Sequence, residues 1–277
     1  MRDRMARQLV TLYDDCVSAL LHESTSSSGA ADQKTVEPAA PLPPPVRVDL
    51  TERVAKYWLR RVNQSTADWY MGVPIGKFPE DLRVYEHLIW ISRPTVIIEI
   101  GASFGGSALW FRDRLRTAAS YGRIESWHVL AIDLDTTASR MCLSASDPDY
   151  EQSITLIDGD VLDPTLPDRV AAHVPPGARC MVVEDSGHDY DTTIQALRGF
   201  SRFVPVDGFF VVEDGCVDIE EMRFLPTWPR GVIPAITDWL ESKEGAVFAQ
   251  RRDLELYGIS CHPYGFLERR APPPEPC

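Results

Sequence analysis

The apolar positions of this chain change their period near residue 94. Before it, apolar residues recur three or four apart: Met5, Leu9, Leu12, Cys16 and Leu20 within residues 3–22, then Val54, Tyr57 and Trp58, then Leu82, Tyr85, Leu88 and Ile89. Side chains at that spacing share one face, so the pattern predicts three helices. Between the first two lies HESTSSSGAADQKTVEPAAPLPPPV. This Ser, Ala and Pro-rich segment cannot bury enough apolar surface to offset the entropy of ordering it, and residues 23–45 read as a flexible linker. STADWYMGVPIGKFPED, punctuated by Gly and Pro, reads as a loop rather than a strand.

After Pro94, short apolar runs alternate with helical spacing. TVIIEIG closes at a glycine and is followed by the helical GGSALWFRDRL. WHVLAIDLD, SITLIDGD, ARCMVVED and GFFVVED are four further runs. TTASRMCLSASDP reads as helix or loop, a helix runs through Thr192, Ile194, Ala196, Leu197 and Phe203, and PAITDWLES is another. Nearly unbroken apolar strands flanked by helices indicate a mostly parallel sheet covered on both faces, a doubly wound α/β domain over residues 46–270 with a helical cover at 50–92. VFAQRRDLELYGISCHPYGFLERR reads as closing antiparallel strands, and the tail at 271–277 has nothing to pack.

Composition narrows the function. The chain has 277 residues, 44% apolar and 25% charged, enough to build a core and incompatible with global disorder, collagen or a coiled coil. Its 28 basic and 41 acidic residues leave a net charge of −13, which repels phosphate backbones and anionic lipid. Nucleic acid and membrane are therefore not expected partners. The sequence has no apolar run long enough to span a bilayer and no signal-peptide pattern, so a soluble cytoplasmic protein is expected. The six cysteines are far apart with no CxxC, suggesting neither a zinc site nor a disulfide framework.

In an open α/β sheet, ligands sit beyond the carboxyl ends of the strands, so the polar residues closing each run are the candidates. EIGASFGGS supplies Glu99, Gly101, Ser103, Gly105, Gly106 and Ser107 at a turn where the backbone can approach a ligand. It is not the GxGxxG of a pyrophosphate site, and its carboxylate suits a cationic, hydroxyl-bearing ligand such as S-adenosylmethionine. Asp133 can accept the ribose hydroxyls and Asp160 can reach the adenine amino group. An ordinary glycine turn with solvated acids is the competing reading. Asp185, Glu213 and Asp214 close two later runs; facing one crevice, three carboxylates call for a hard cation, Mg²⁺ first. His188, three residues after Asp185, is then placed to take a proton from a coordinated hydroxyl. Helix caps and a solvated loop are the alternative for the acids, and an orienting role for the histidine. Lys77 in its Gly/Pro loop is a candidate to cover the crevice, with Trp69 and Tyr70 as candidate walls of an acceptor pocket. His22, His87, His128, His173 and His262 read as surface or packing residues.

YMGVPIGKFPEDLRVYEHLIW, PTVIIEIGASFGGSALWF, VLAIDLD, DSGHDY, FFVVEDG and HPYGFLERR, in this order, resemble the rhamnosyl O-methyltransferase and cephalosporin hydroxylase family over about residues 50–270. The resemblance implies a Rossmann-like class I methyltransferase that is S-adenosylmethionine- and Mg²⁺-dependent. It implies action on hydroxyls of deoxysugars or other bacterial natural products, in antibiotic biosynthesis, by a homo-oligomer. It also implies Glu99, Gly101, Ser103 and Gly105 as the methyl-donor loop, Asp133 as the ribose acid, Asp185, Glu213 and Asp214 as metal carboxylates, and His188 as base. An oxidoreductase or hydroxylase component acting on a natural product is the runner-up, and a non-sugar hydroxyl is the other acceptor. An iron oxygenase would want two histidines beside its carboxylate, and only His188 is near the acids. On its tether, the helix at 3–22 is expected to dock on a neighbouring subunit.

Overall fold

The computed structural model describes residues 53–223 and 226–271; the expected helix at 3–22, the linker at 23–45 and the tail after residue 271 lie outside the described residues. Val54–Ser65 forms α1 and Pro79–Ser92 forms α2. Trp58 and Val62 of α1 and Val84, Tyr85, Leu88 and Ile89 of α2 are buried. α2 opens on Pro79, whose missing N–H is not needed in a first turn, with Glu80 and Asp81 at the positive end of the helix dipole. It ends on Arg93 in the left-handed region, directly before Pro94.

The stretch between these helices is not a plain loop. Trp69–Tyr70 (β1) and Val73–Pro74 (β2) pair antiparallel around Met71 and Gly72, whose φ values are 49° and 82°. Two successive positive φ values make the mirror-image turn that suits a hairpin. Two-residue strands are too short for an alternating pattern to betray them.

Five parallel strands follow: β3 (Val96–Ile100), β4 (His128–Asp133), β5 (Ile154–Asp158), β6 (Cys180–Glu184) and β7 (Phe209–Val212). The closing strands β8 (Phe248–Gln250) and β9 (Phe266–Arg269) join antiparallel, in the order β5-β4-β3-β6-β7-β9-β8. Every residue of β3 and β6 is buried, as a central strand covered on both faces requires. Alternate residues serve opposite faces. Ile97, Val129, Met181 and Val211 join a core with Tyr85, Leu88, Leu109 and Phe111 from α2 and α3 (Gly106–Ser120). Ile98, Leu130, Val182 and Phe210 pack instead with Ile194 and Leu197 of α6 (Tyr190–Phe200) and Ala235 and Ile236 of α7 (Val232–Leu240). TTASRMCLSASDP yields α4 (Thr137–Ser146). α5 (Leu166–Ala171) was not expected, since six residues opening on Leu-Pro carry too little periodicity.

The strand order reverses between β3 and β6, which places a crevice beyond their carboxyl ends. Among the described residues, no helix is long and apolar enough to cross a membrane.

Candidate active site

Two turns meet across that crevice. Gly101, after β3, has φ 102°, and a Cβ built on it would lie 2.0 Å from the Asp185 carbonyl oxygen. Glycine is required there by close backbone approach as well as by conformation. Gly105 caps α3 in the left-handed region. The Ser103 N–H donates to Asp133 Oδ2 at 2.7 Å and the Leu134 N–H to Oδ1 at 2.8 Å, so Asp133 ties the glycine turn to the end of β4.

Glu99 is fully buried in β3, and neither carboxylate oxygen has a hydrogen-bond partner. Burial pushes its carboxyl up to about 7, against the pull of Lys77 and of Ser107, a buried residue in the first turn of α3. Between its ordinary value of 4.5 and about 7, the folded protein keeps a proton on Glu99 that the unfolded chain has released. This group's contribution to stability therefore falls as pH rises through that window. Glu99→Gln is expected to stabilise the fold at pH 8 by up to about 3 kcal/mol, with the gain vanishing near pH 4.5. Melting curves of both proteins across this range check it; an equal gain at all pH values would mean that Glu99 carries no such charge cost.

Asp160 stands apart from this group. It is exposed beyond β5, and its Oδ1 accepts the Leu162 N–H at 2.9 Å in a local turn.

The acids gather on the other side. Glu184 pairs with Val212 in parallel register, which sets Asp185 beside Glu213, and the Glu213 N–H donates to the Glu184 carbonyl at 2.9 Å. Asp185 and Glu213 do not meet across open solvent: Lys77 Nζ lies 2.5 Å from Asp185 Oδ2 and 2.7 Å from Glu213 Oε2. Lys77 is only 5% exposed. Burial pulls its ammonium down, yet Asp185, Glu213 and Glu99 outweigh that and leave it well above the ordinary lysine value. His188 Nε2 lies 3.5 Å from Asp214 Oδ2 and 4.0 Å from Asp185 Oδ1, and its buried Nδ1 has no hydrogen-bond partner. The indole of Trp228 stands edge-on to His188 with ring centroids 5.6 Å apart. Ligand atoms of Asp185, His188 and Asp214 fall within 4.8 Å of one another.

Glu213 is placed differently from the other two acids. It faces Lys77, accepts the Tyr85 hydroxyl at 2.6 Å, and has His262 Nε2 at 3.7 Å. His262 Nδ1 also accepts the Asp214 N–H at 3.2 Å, and its Nε2 lies 3.7 Å from Asp81, which itself accepts from Ser260 and the Cys261 N–H. Burial and Glu213 push the Asp185 carboxyl up despite Lys77 and His188. Glu213, though buried, is held below its ordinary value by Lys77, His262 and Tyr85. Ser103, His188 and Asp214 all adopt φ between 48° and 56°, a conformation that non-glycine residues rarely take outside constrained sites.

Glu99, Gly101, Ser103, Gly105, Ser107 and Asp133 thus surround the β3 turn, and Asp185, His188 and Asp214 form one group. Lys77 is in the crevice rather than over it. His262 is buried, but as a partner of the acids rather than as mere packing, and Tyr85 and Asp81 join it from α2. Tyr70 gives its hydroxyl to Asp113 of α3 at 2.9 Å, so that group is not free for an acceptor. Among the described residues the cysteines are unbridged, but Cys216 and Cys261 meet beside Asp214. Cys261 is kept protonated by its hydrogen bond with Cys216 and by burial.

The family profile described as Rhamnosyl O-methyltransferase/CmcI matches residues 62–270. Curated proteins named Rhamnosyl O-methyltransferase are similar over most of the chain. That of Mycobacterium bovis is 23% identical over 211 residues, covering 74% of this chain and 79% of its own. That of Mycobacterium leprae is 22% identical over 223 residues, covering 80% and 91%. A solved structure of CmcI described with Mg and SAM superposes with a TM-score of 0.54 at 22% identity, covering 83% of this chain and 90% of that one. Another, described with SAH, gives 0.52 at 20% identity, covering 82% and 97%. At these identities the superpositions speak to a shared fold.

Proposed function

The chain belongs to the Rhamnosyl O-methyltransferase/CmcI family, and on that premise we propose that it is an S-adenosylmethionine- and Mg²⁺-dependent O-methyltransferase acting on a sugar hydroxyl of a glycosylated natural product. The catalytic unit on this reading is residues 46–270. The observation that carries it is the grouping of Asp185, His188 and Asp214 at the strand ends, across the switch point from the Gly101 turn.

The residues fit both groups the family implies. A sulfonium nucleoside carries no phosphate, and the β3 turn offers it a buried carboxylate with no hydrogen-bond partner, Glu99, and a clamped acid, Asp133. Asp185 and Asp214 supply hard oxygen donors, and the burial and Glu213 charge that push the Asp185 carboxyl up are what a bound cation would offset. Mg²⁺ there would supply positive charge that gathers neighbouring acceptor oxygens and lowers the pKa of the attacking hydroxyl.

The chain's own residues do the rest. His188 accepts the hydroxyl proton as the oxygen–methyl bond forms and the methyl–sulfur bond breaks, leaving S-adenosylhomocysteine. Trp228 walls the space next to that imidazole and limits where an acceptor ring can lie. His262 and Asp81 hold Glu213 and Asp214 from behind.

The test is transfer of labelled methyl from the donor to a panel of glycosylated natural products and their aglycones, with and without chelator. Chelation is expected to cut label transfer at least tenfold while S-adenosylhomocysteine affinity by calorimetry changes less than twofold. Undiminished transfer in chelator would remove the metal from the reading, and methylated aglycones would remove the sugar.

A further inference from the structure

Lys77 is a buried basic side chain among carboxylates, and the sequence alone gave it only a covering role. It is carried on the four-residue link between β2 and α2, residues 75–78, which is held in the fold on both sides. Pro74 O lies so close to Gly106 that a Cβ there would come within 2.2 Å, and Ile75 and Phe78 are buried. From that link the side chain reaches inward until Nζ contacts one oxygen of Asp185 and one of Glu213.

We propose that Lys77 is a resident counter-cation that a divalent ion must displace, so that Asp185 and Glu213 hold either the lysine ammonium or the metal. The proposal rests on the reading of the acid cluster as a divalent-cation site. An ammonium with nitrogen–oxygen distances of 2.5 and 2.7 Å occupies the ground on which a cation bridging the same two oxygens would stand. Mg²⁺ binds oxygen at about 2.0–2.1 Å, so the two cations cannot share that ground. Two like charges held side by side in a buried site also repel strongly. The lysine accounts for how Asp185, Glu213 and Glu99 stay folded together without metal, since each lies within its field. A displaced ammonium also leaves the 75–78 link without its inner anchor, which ties metal loading to the packing of that segment.

The competing arrangement has the ion held by Asp185 and Asp214, beside His188, with Lys77 left in place. Calorimetric Mg²⁺ titration of the full-length wild type and Lys77→Met separates the two. Displacement requires Lys77→Met to bind Mg²⁺ about tenfold more tightly; equal or weaker binding overturns it while leaving the metal site standing. If neither protein binds Mg²⁺, the site reading and the proposal fall together. Should Lys77→Met not fold, acylation of wild-type lysines read by mass spectrometry decides. Lys77 is expected to react at least threefold faster with Mg²⁺ than without it, and no acceleration overturns the proposal.

Discussion

Replacing His188 with alanine is expected to lower kcat by about 10²- to 10⁴-fold while S-adenosylhomocysteine affinity stays within a few-fold. The two effects separate because His188 sits on the acid side of the crevice, within 4.0 Å of Asp185 and Asp214, whereas the turn proposed for the donor is built from β3 and β4. His188→Gln should behave alike, since an amide cannot take a proton at neutral pH. The pH profile carries a sign that a merely structural histidine would not. In the metal-free protein burial pulls the imidazole down, but Asp214, Asp185 and Glu184 outweigh it and hold its proton above the ordinary range; a cation on the same acids would weaken that hold. A base must be neutral to act, so wild-type kcat should climb as pH rises through the titration of His188, and the residual activity of His188→Gln should lose that limb. A variant that retained wild-type kcat, or that lost turnover only by losing donor affinity, would take the base role away from His188.

Much of this arrangement is legible in the sequence, for a reason particular to parallel sheets. Each buried strand is a short apolar run, and each run must end in polar residues where the chain emerges, so the ends of VIIEI, CMVVE and FFVV name their own site. What the sequence hides is reach across the chain. Lys77 precedes Asp185 by 108 residues and Asp81 precedes Cys261 by 180, and nothing in the spacing of GVPIGKFPED or ISCHPYG announces that these loops converge. His262 has no apolar periodicity to mark it as buried, and only the β7–β9 pairing turns HPYG back beneath Asp214. Asp160 is the opposite case. It lies two residues beyond the end of β5, where its Oδ1 serves a local turn that any Asp before a short loop can make, so its place in the run says little about what else it meets.

The second large effect expected comes from a single methyl group at Gly101. In Gly101→Ala the added carbon would lie 2.0 Å from the oxygen and 2.6 Å from the carbon of the Asp185 carbonyl, both backbone atoms that no rotamer change can move. Nor can the turns drift apart freely. The Asp185 N–H donates to Ile100 O and the Gly101 N–H to Ile132 O, each at 2.8 Å, so relief breaks the lacing of β4, β3 and β6. A φ of 102° adds its own penalty for any residue with a Cβ. Overpacking and backbone strain together should cost about 3–5 kcal/mol, or roughly 10 °C in Tm for a chain of this size. Gly122→Ala is the matched control: its φ is 68° but nothing lies within 4 Å of the new carbon. Strain alone should cost it about 1–2 kcal/mol. Since the Gly101 clash pushes on the residue that carries Asp185, this variant should also bind Mg²⁺ more weakly, while Gly122→Ala binds as the wild type does. Equal losses of Tm in the two variants would mean that the turns after β3 and β6 are not interlocked, and the geometry on which the proposed donor and metal sites both depend would have to be redrawn.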